Sequence, residues 1–139
     1  MGHGCERKDA MKNDPKTLAL TYLDAVSRKD LNKVQELLMP NLEFTGPSMS
    51  RSSAQSFIDA LKRLAAIHVR NDVKKVFVDD NEACVIYDFV TDTPSGSLPT
   101  IEWLQFEGGR IRSINLYYDR VPWKAVMDEL SRRASSPAA

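Results

Sequence analysis

The sequence predicts a single α+β domain, with helices first, then an antiparallel meander, then one closing helix. Three observations carry this. Between Asp14 and Ala65, apolar residues recur at i, i+3, i+4 and i+7, the stripe of amphipathic helices. From Ile67 to Asp119 the period shortens to two, and Asp79-Asp80-Asn81-Glu82 and Gly108-Gly109 supply hairpin turns between apolar runs. A last stripe of Trp123, Val126, Met127 and Leu130 restores the helical spacing. Helices segregated from strands along the chain give an α+β fold rather than alternating βα units.

Asp14 is a good N-cap, and Pro15 suits the first helical position, where a missing N–H costs nothing. Ala19, Tyr22, Leu23 and Val26 then form the buried stripe of the first helix. Ser27-Arg28-Lys29 breaks it, and Asp30 caps a short second helix carrying Leu31, Val34, Leu37 and Leu38, which Pro40 ends. Asn41 to Thr45 alternates as a short strand, closed by Gly46-Pro47. Ser52, followed three residues later by Gln55, makes a capping box for a third helix with Phe57, Ile58, Leu61, Leu64 and Ala65 on one face. Strands follow at about 67–78, 83–91, 100–107 and 110–119, with Asp92 to Pro99 as a longer loop, and the last helix starts at Pro122. The folded domain is expected over 15–133, between disordered tails at 1–14 and 134–139.

At 139 residues the chain holds one sizeable core and no second full domain. Nineteen basic residues balance nineteen acidic ones. The chain therefore lacks the bulk positive field and the basic run that non-specific nucleic-acid binding uses. No apolar run approaches the roughly 20 residues of a membrane helix, and Met1 to Asn13 is too polar for a signal peptide. A cytoplasmic protein that binds neither nucleic acid nor membrane is the expectation. Cys5 and Cys84 make neither a disulfide framework nor a zinc site, and His3 with Cys5 gives only two ligands on a tail. With no Gly-rich phosphate loop, no Gly-x-Ser-x-Gly elbow and no His-Glu-x-x-His, no metal or other cofactor is expected.

A curled antiparallel sheet with helices on it leaves a conical space lined by alternate strand residues. Polar residues that share a strand face with apolar ones are therefore the candidates. Glu102 shares its face with Leu104 and Phe106, opposite Ile101, Trp103 and Gln105. In apolar surroundings a carboxyl resists ionising, and as a neutral acid it donates a hydrogen bond to a ligand oxygen; on the other face it is solvated or paired with an arginine. Asp88 stands with Ile86 and Val90, opposite Val85, Tyr87 and Phe89; both faces are apolar, so it is either buried and paired or near the open end of the sheet. Tyr22, on the stripe of the first helix, reads as core packing with a hydroxyl in need of one partner, or as part of a site. His68, beside Ile67 and Val69, is the histidine of the folded region.

The order of elements resembles the nuclear transport factor 2-like (NTF2-like) superfamily, and within it the SnoaL-like and ketosteroid-isomerase-like proteins. The residues that carry the resemblance are Tyr22-Leu-Asp-Ala-Val, Lys29-Asp30-Leu31, Leu42-Glu-Phe, and Glu107-Gly-Gly-Arg-Ile with Leu116-Tyr-Tyr-Asp119, spread over about residues 16 to 130. It implies a cone of three N-terminal helices on a strongly curved sheet. Steroid isomerases build an oxyanion hole from a first-helix tyrosine and a protonated aspartic acid. Tyr22 stands at the tyrosine's place and Glu102 at the acid's, one methylene longer. Gly46 occupies the place of their general base, and of the Asp-Arg-Asp set of epoxide-hydrolase relatives only Asp88 has a counterpart, Ile86 and Leu116 filling the other two. The function the resemblance implies is a small-molecule binder with an apolar pocket, or an isomerase, cyclase or dehydratase acting on a hydrophobic carbonyl or hydroxyl compound. Tyr22, Asp88 and Glu102 are the candidate catalytic residues, with Asp88 as base. Phe44, Phe57, His68, Leu104, Ile114 and Leu116 are the candidate ligand contacts. Whether the chain is an enzyme or a non-catalytic dimerisation or scaffold domain stays open. A homodimer through the outer sheet face is expected, with Trp103, Tyr117, Tyr87 and Phe89 offered there.

Overall fold

The structure, a computed structural model, describes residues 14–135. Helices α1 (Pro15–Ser27) and α2 (Leu31–Leu37) lead into strands β1 (Leu38–Thr45) and β2 (Ser50–Arg51), then helix α3 (Ala54–Leu64). Four long strands follow, β3 (His68–Asp79), β4 (Glu82–Thr91), β5 (Ser97–Glu107) and β6 (Arg110–Tyr118), and α4 (Arg120–Ser135) closes the fold.

The helix ends follow from their caps. Asp14 accepts from the Thr17 amide at 3.2 Å and Pro15 opens α1. The helix stops in a Schellman-type turn: the Asp30 amide donates to the Ala25 carbonyl, the Lys29 amide donates to that of Val26, and Lys29 takes φ 59°. Asp30 then turns its side chain to the Lys33 amide and caps α2. Two boundaries differ from the sequence pattern here. The second helix ends at Leu37 rather than at Pro40, and Pro40 lies inside β1. Pairing of β1 with β6 slips between Leu38↔Ile111 and Glu43↔Ser113, and a residue without an N–H is tolerated at such an irregularity. The cap of α3 is Ser53, whose Oγ accepts from the Ser56 amide at 3.1 Å, while Gln55 reaches Asp59 instead of closing a capping box.

The sheet order is β2-β1-β6-β5-β4-β3. The meander β3 to β6 is antiparallel, and β1 joins it parallel to β6, so the sheet is mostly rather than wholly antiparallel. Gly108 and Gly109, at φ 58° and 78°, form the two-residue turn between Glu107 and Arg110. Register shifts at His68/Arg70, Val73/Lys75 and Gln105/Phe106 bend the long strands. The loop after β4 is shorter than expected, because β5 begins at Ser97. Pro99 fits there since β6 has already run out, its last pair with β5 being Thr100↔Tyr118. Helix α4 starts at Arg120, with Pro122 in its first turn, where amides lack helical partners anyway. Ala134 and Ser135, expected in a tail, are helical; the rest of both expected tails, 1–13 and 136–139, falls outside the described residues.

On the inner face the strands align side chains in rows. Ala83, Leu104, Ile114 and Phe44 form one row, Val85, Glu102 and Leu116 the next, and Tyr87, Thr100 and Tyr118 a third. Helix α1 is tied to the far edge by Asn71, whose amide donates to Ser27 Oγ at 2.6 Å and whose Nδ2 donates to the Leu23 carbonyl at 3.2 Å. That tie holds Tyr22 over the middle of the sheet.

Candidate functional site

In the row of Leu104 and Ile114 these two side chains are fully buried core, and only Phe44 at the row's end borders open space. One row on, packing gives way to a cavity of about 750 Å³ between the sheet and helices α1, α3 and α4. Glu102 lies at that boundary, on the cavity floor, and is 4% exposed. Its alternating strand put it there, because Leu104, Phe106 and Leu98 share its buried face while Ile101 and Trp103 look outward.

Two phenols hold the carboxyl. Tyr22 donates to Oε1 at 2.9 Å across 80 residues of sequence, and Tyr87, from the next strand, donates to Oε2. Both tyrosines are buried and line the cavity. Burial pushes the Glu102 carboxyl above its ordinary value of 4.5, against the hydrogen bonds from Tyr87 and Tyr22, which pull it down. Desolvation likewise drives both phenols well above the usual tyrosine value, with the neighbouring carboxylate adding to it. The two protonation states of Glu102 present different chemistry. Ionised, it consumes both phenol protons and leaves only phenol lone pairs for a ligand. Protonated, it gives its own proton to one phenol oxygen, and that phenol is free to donate into the cavity.

The remaining wall is apolar. Phe44, Phe57 and Leu116 line it, as do Phe89, Trp123 and Met127; Phe44 and Phe57 are in ring contact at 4.9 Å. Trp123 packs its ring against Phe89 (5.2 Å) and Tyr118 (5.0 Å), and its buried Nε1–H has no hydrogen-bond partner among the described residues. The lining residues that are exposed are Ser48, Arg51, Arg63, Arg120, Val121 and Lys124, which mark the mouth.

Of the residues singled out in the sequence, Tyr22, Glu102, Phe44, Phe57 and Leu116 converge on the cavity. Asp88 does not. It lies on the outer face, where Lys74 Nζ sits 3.1 Å from its carboxylate, so it cannot act as a base inside. Correspondingly, Tyr87 and Phe89 point inward and are absent from the outer face expected to carry them. Leu104 and Ile114 are buried in the row behind Glu102 and touch no ligand space. His68 is buried, stacks on Phe89 at 4.1 Å and bonds Asn71 Oδ1 at 2.9 Å, and it does not line the cavity. Burial lowers its pKa, as expected for an imidazole held neutral in the core. Tyr87, Trp123 and Met127 were not predicted from sequence. For Tyr87 a signal existed: its strand face, Ala83-Val85-Tyr87-Phe89-Thr91, carries no charge, whereas the opposite face carries Glu82 and Asp88. Among the described residues no three His, Cys, Asp or Glu side chains converge as metal ligands, and no helix is long and apolar enough to cross a membrane.

The profile of the SnoaL-like domain matches residues 19–114, most of the chain. The chain belongs to the SnoaL-like domain family. Solved structures agree on the fold of this SnoaL-like protein. A protein from Kribbella flavida is 24% identical and covers 85% of this chain and 95% of its own, with a TM-score of 0.73. An NTF2-like protein of unknown function from Cytophaga hutchinsonii is 22% identical over 79% of this chain and 94% of its own, at a TM-score of 0.69. A Shewanella denitrificans protein, provisionally named a SnoaL-like polyketide cyclase, is 16% identical over 85% and 97%, also at 0.69. At these identities the likeness establishes the NTF2-like fold and no activity. No curated protein matches the chain.

Proposed function

We propose that this SnoaL-like domain binds an apolar small molecule bearing a carbonyl or hydroxyl oxygen, and that Tyr22, Tyr87 and a protonated Glu102 hold that oxygen. The observation that carries this reading is the buried carboxyl on the floor of an apolar cavity, with a phenol on each oxygen. A cavity of this size suits a drug-sized ligand. A protonated Glu102 relays its proton through a phenol, so the donor aimed at the ligand oxygen is a tyrosine hydroxyl backed by an acid. The same relay is a general acid for isomerase, cyclase or dehydratase chemistry on such a compound. Glu102 is the only carboxylate among the described residues that line the cavity, and Gly46 stands at the isomerase base position, so ligand binding is the activity the geometry supports furthest. The setting we assign is the cytoplasm.

The test uses a matched pair, 2-acetylnaphthalene and 2-ethylnaphthalene, which differ in the oxygen. Trp103→Phe leaves Trp123 as the sole tryptophan, and its quenching reports the cavity. The ketone should bind roughly tenfold tighter, about the worth of one hydrogen bond in a dry site. The preference should vanish in Tyr22→Phe/Tyr87→Phe. Equal affinity for both compounds in the protein with both tyrosines intact would reject the polar cluster as a ligand anchor.

A second reading concerns assembly and rests on a separate observation. On the outer face, Ile86, Ile101 and Tyr117 align across three strands beside Phe77, Cys84 and Trp103, with Phe77 and Tyr117 more than half exposed. Around them Lys74 pairs with Asp88, Trp103 Nε1 donates to Glu82, and Lys75 lies over the Phe77 ring at 5.7 Å. We propose that a second copy of the chain covers this face. Sedimentation should give a dimer at about 50 µM and a monomer for Trp103→Glu, as expected for a standard-size contact; a monomeric parent protein would reject the dimer.

A further inference from the structure

We infer that the ligand is an amphipathic anion: an apolar body inside the cavity and a carboxylate, phosphate or sulfate left at its mouth. The inference rests on the ligand-binding reading above and adds the sign of the ligand's trailing end.

The mouth is cationic by construction rather than by composition. The whole chain carries as many acidic as basic residues. Yet four of the six exposed residues that line the cavity are Arg51, Arg63, Arg120 and Lys124, and none is acidic. They come from three separate elements, β2, α3 and α4, so they are not the solvated face of a single helix. Among the described residues Arg51, Arg63 and Arg120 have no carboxylate partner. Lys124 has an exposed one, Asp128 at 3.5 Å. The other acids on or beside these elements are engaged elsewhere: Asp59 accepts from Gln55, Glu129 pairs with Arg132 and Arg133, and Asp119, just before α4, accepts from the Val121 amide.

Arg120 and Lys124 lie on α4, which has no acidic residue in its first turn. The carboxylate that caps this helix, Asp119, does not line the cavity, so the charged side chains at the opening present a positive field. Around a low-dielectric opening such a field concentrates anions. The sole carboxylate of the lining, Glu102, lies at the opposite, buried end. An anion therefore meets attraction at the rim and desolvation within, and an apolar oxygen compound with an anionic tail satisfies both ends of the cavity.

The probes are decanoate, 1-decanol and decyltrimethylammonium, all below micelle formation, read by Trp123 quenching in Trp103→Phe protein. In about 50 mM NaCl decanoate should bind at least about tenfold tighter than decyltrimethylammonium, and the ratio should shrink toward one in about 0.5 M NaCl, where exposed charges are screened. Arg51→Gln/Arg63→Gln/Arg120→Gln should remove the preference, bringing the decanoate-to-decyltrimethylammonium affinity ratio to about one at low salt. Equal binding of the two charged probes by the Trp103→Phe protein would overturn the inference while 1-decanol binding kept the cavity reading intact. A decanoate preference that survives in the triple variant would place the carboxylate at the inner cluster, and would also overturn it. If 1-decanol fails to bind as well, the cavity reading falls and this inference falls with it.

Discussion

Replacing Glu102 by glutamine separates the cost of the buried charge from the worth of its hydrogen bonds. A glutamine carbonyl accepts from one phenol and its amide donates to the other, the same pattern a protonated Glu102 makes with Tyr22 and Tyr87. The variant therefore imitates the neutral acid at every pH. Burial raises the folded carboxyl above its ordinary 4.5, so the folded chain holds this proton more tightly than the unfolded chain does. Stability from that proton is complete at low pH, and it drains away as pH rises from the unfolded value to the folded one. The slope is about 1.36 kcal/mol per pH unit. Glu102→Gln should therefore gain stability on the parent protein as pH rises above the ordinary value of 4.5, and the gap should stop widening once the folded carboxyl has ionised. Urea denaturation of both proteins at about pH 4, 5, 6 and 7 measures the gap directly. A gap that stays constant, or that grows as pH falls, means the carboxyl titrates at or below its ordinary value and refutes the reasoning.

The packed and open positions of the sheet should respond differently to truncation. Leu104→Ala, at a fully buried position, should cost about 2–5 kcal/mol. Leu116→Ala should cost less and chiefly alter ligand affinity, because its side chain already borders the cavity; equal losses in urea unfolding would contradict the boundary drawn at Glu102. Asp88→Asn should leave ligand affinity unchanged and shift stability by no more than about 1 kcal/mol, since it removes a partly exposed pair with Lys74. His68 is held neutral by burial, so its contribution is present above its unfolded value near 6.5 and is lost as pH falls below it. His68→Leu should flatten that limb of the stability profile, and an unchanged limb would show that another group causes it.

Strand β5 was legible in part. Its period sets Glu102 with Leu104 and Phe106, but Ile101 and Trp103 on the other face left open which of the two is buried. The stripe of α1 placed Tyr22 inward. Strand β4 was harder, because Ile86 and Val90 are as apolar as Val85 and Phe89; only the pairing of Val85 with Glu102 and Tyr87 with Thr100 decides which set faces inward. The period of a strand identifies two faces and leaves the choice between them to its neighbours. Depth was not legible either. Leu104 and Leu116 look equivalent as inward leucines, yet one is fully buried core and the other borders space. The cationic mouth draws Arg51, Arg63, Arg120 and Lys124 from elements far apart in sequence, one of them a two-residue strand, so only the folded chain assembles it.

The most direct measurement is a carbon-13 titration of the Glu102 side-chain carboxyl by NMR, with Glu102→Gln identifying the resonance. A carboxyl that ionises above the value of a solvated glutamate is the predicted result. Ionisation near the value of a solvated glutamate would contradict it, and would leave the cavity without the donor on which ligand recognition depends.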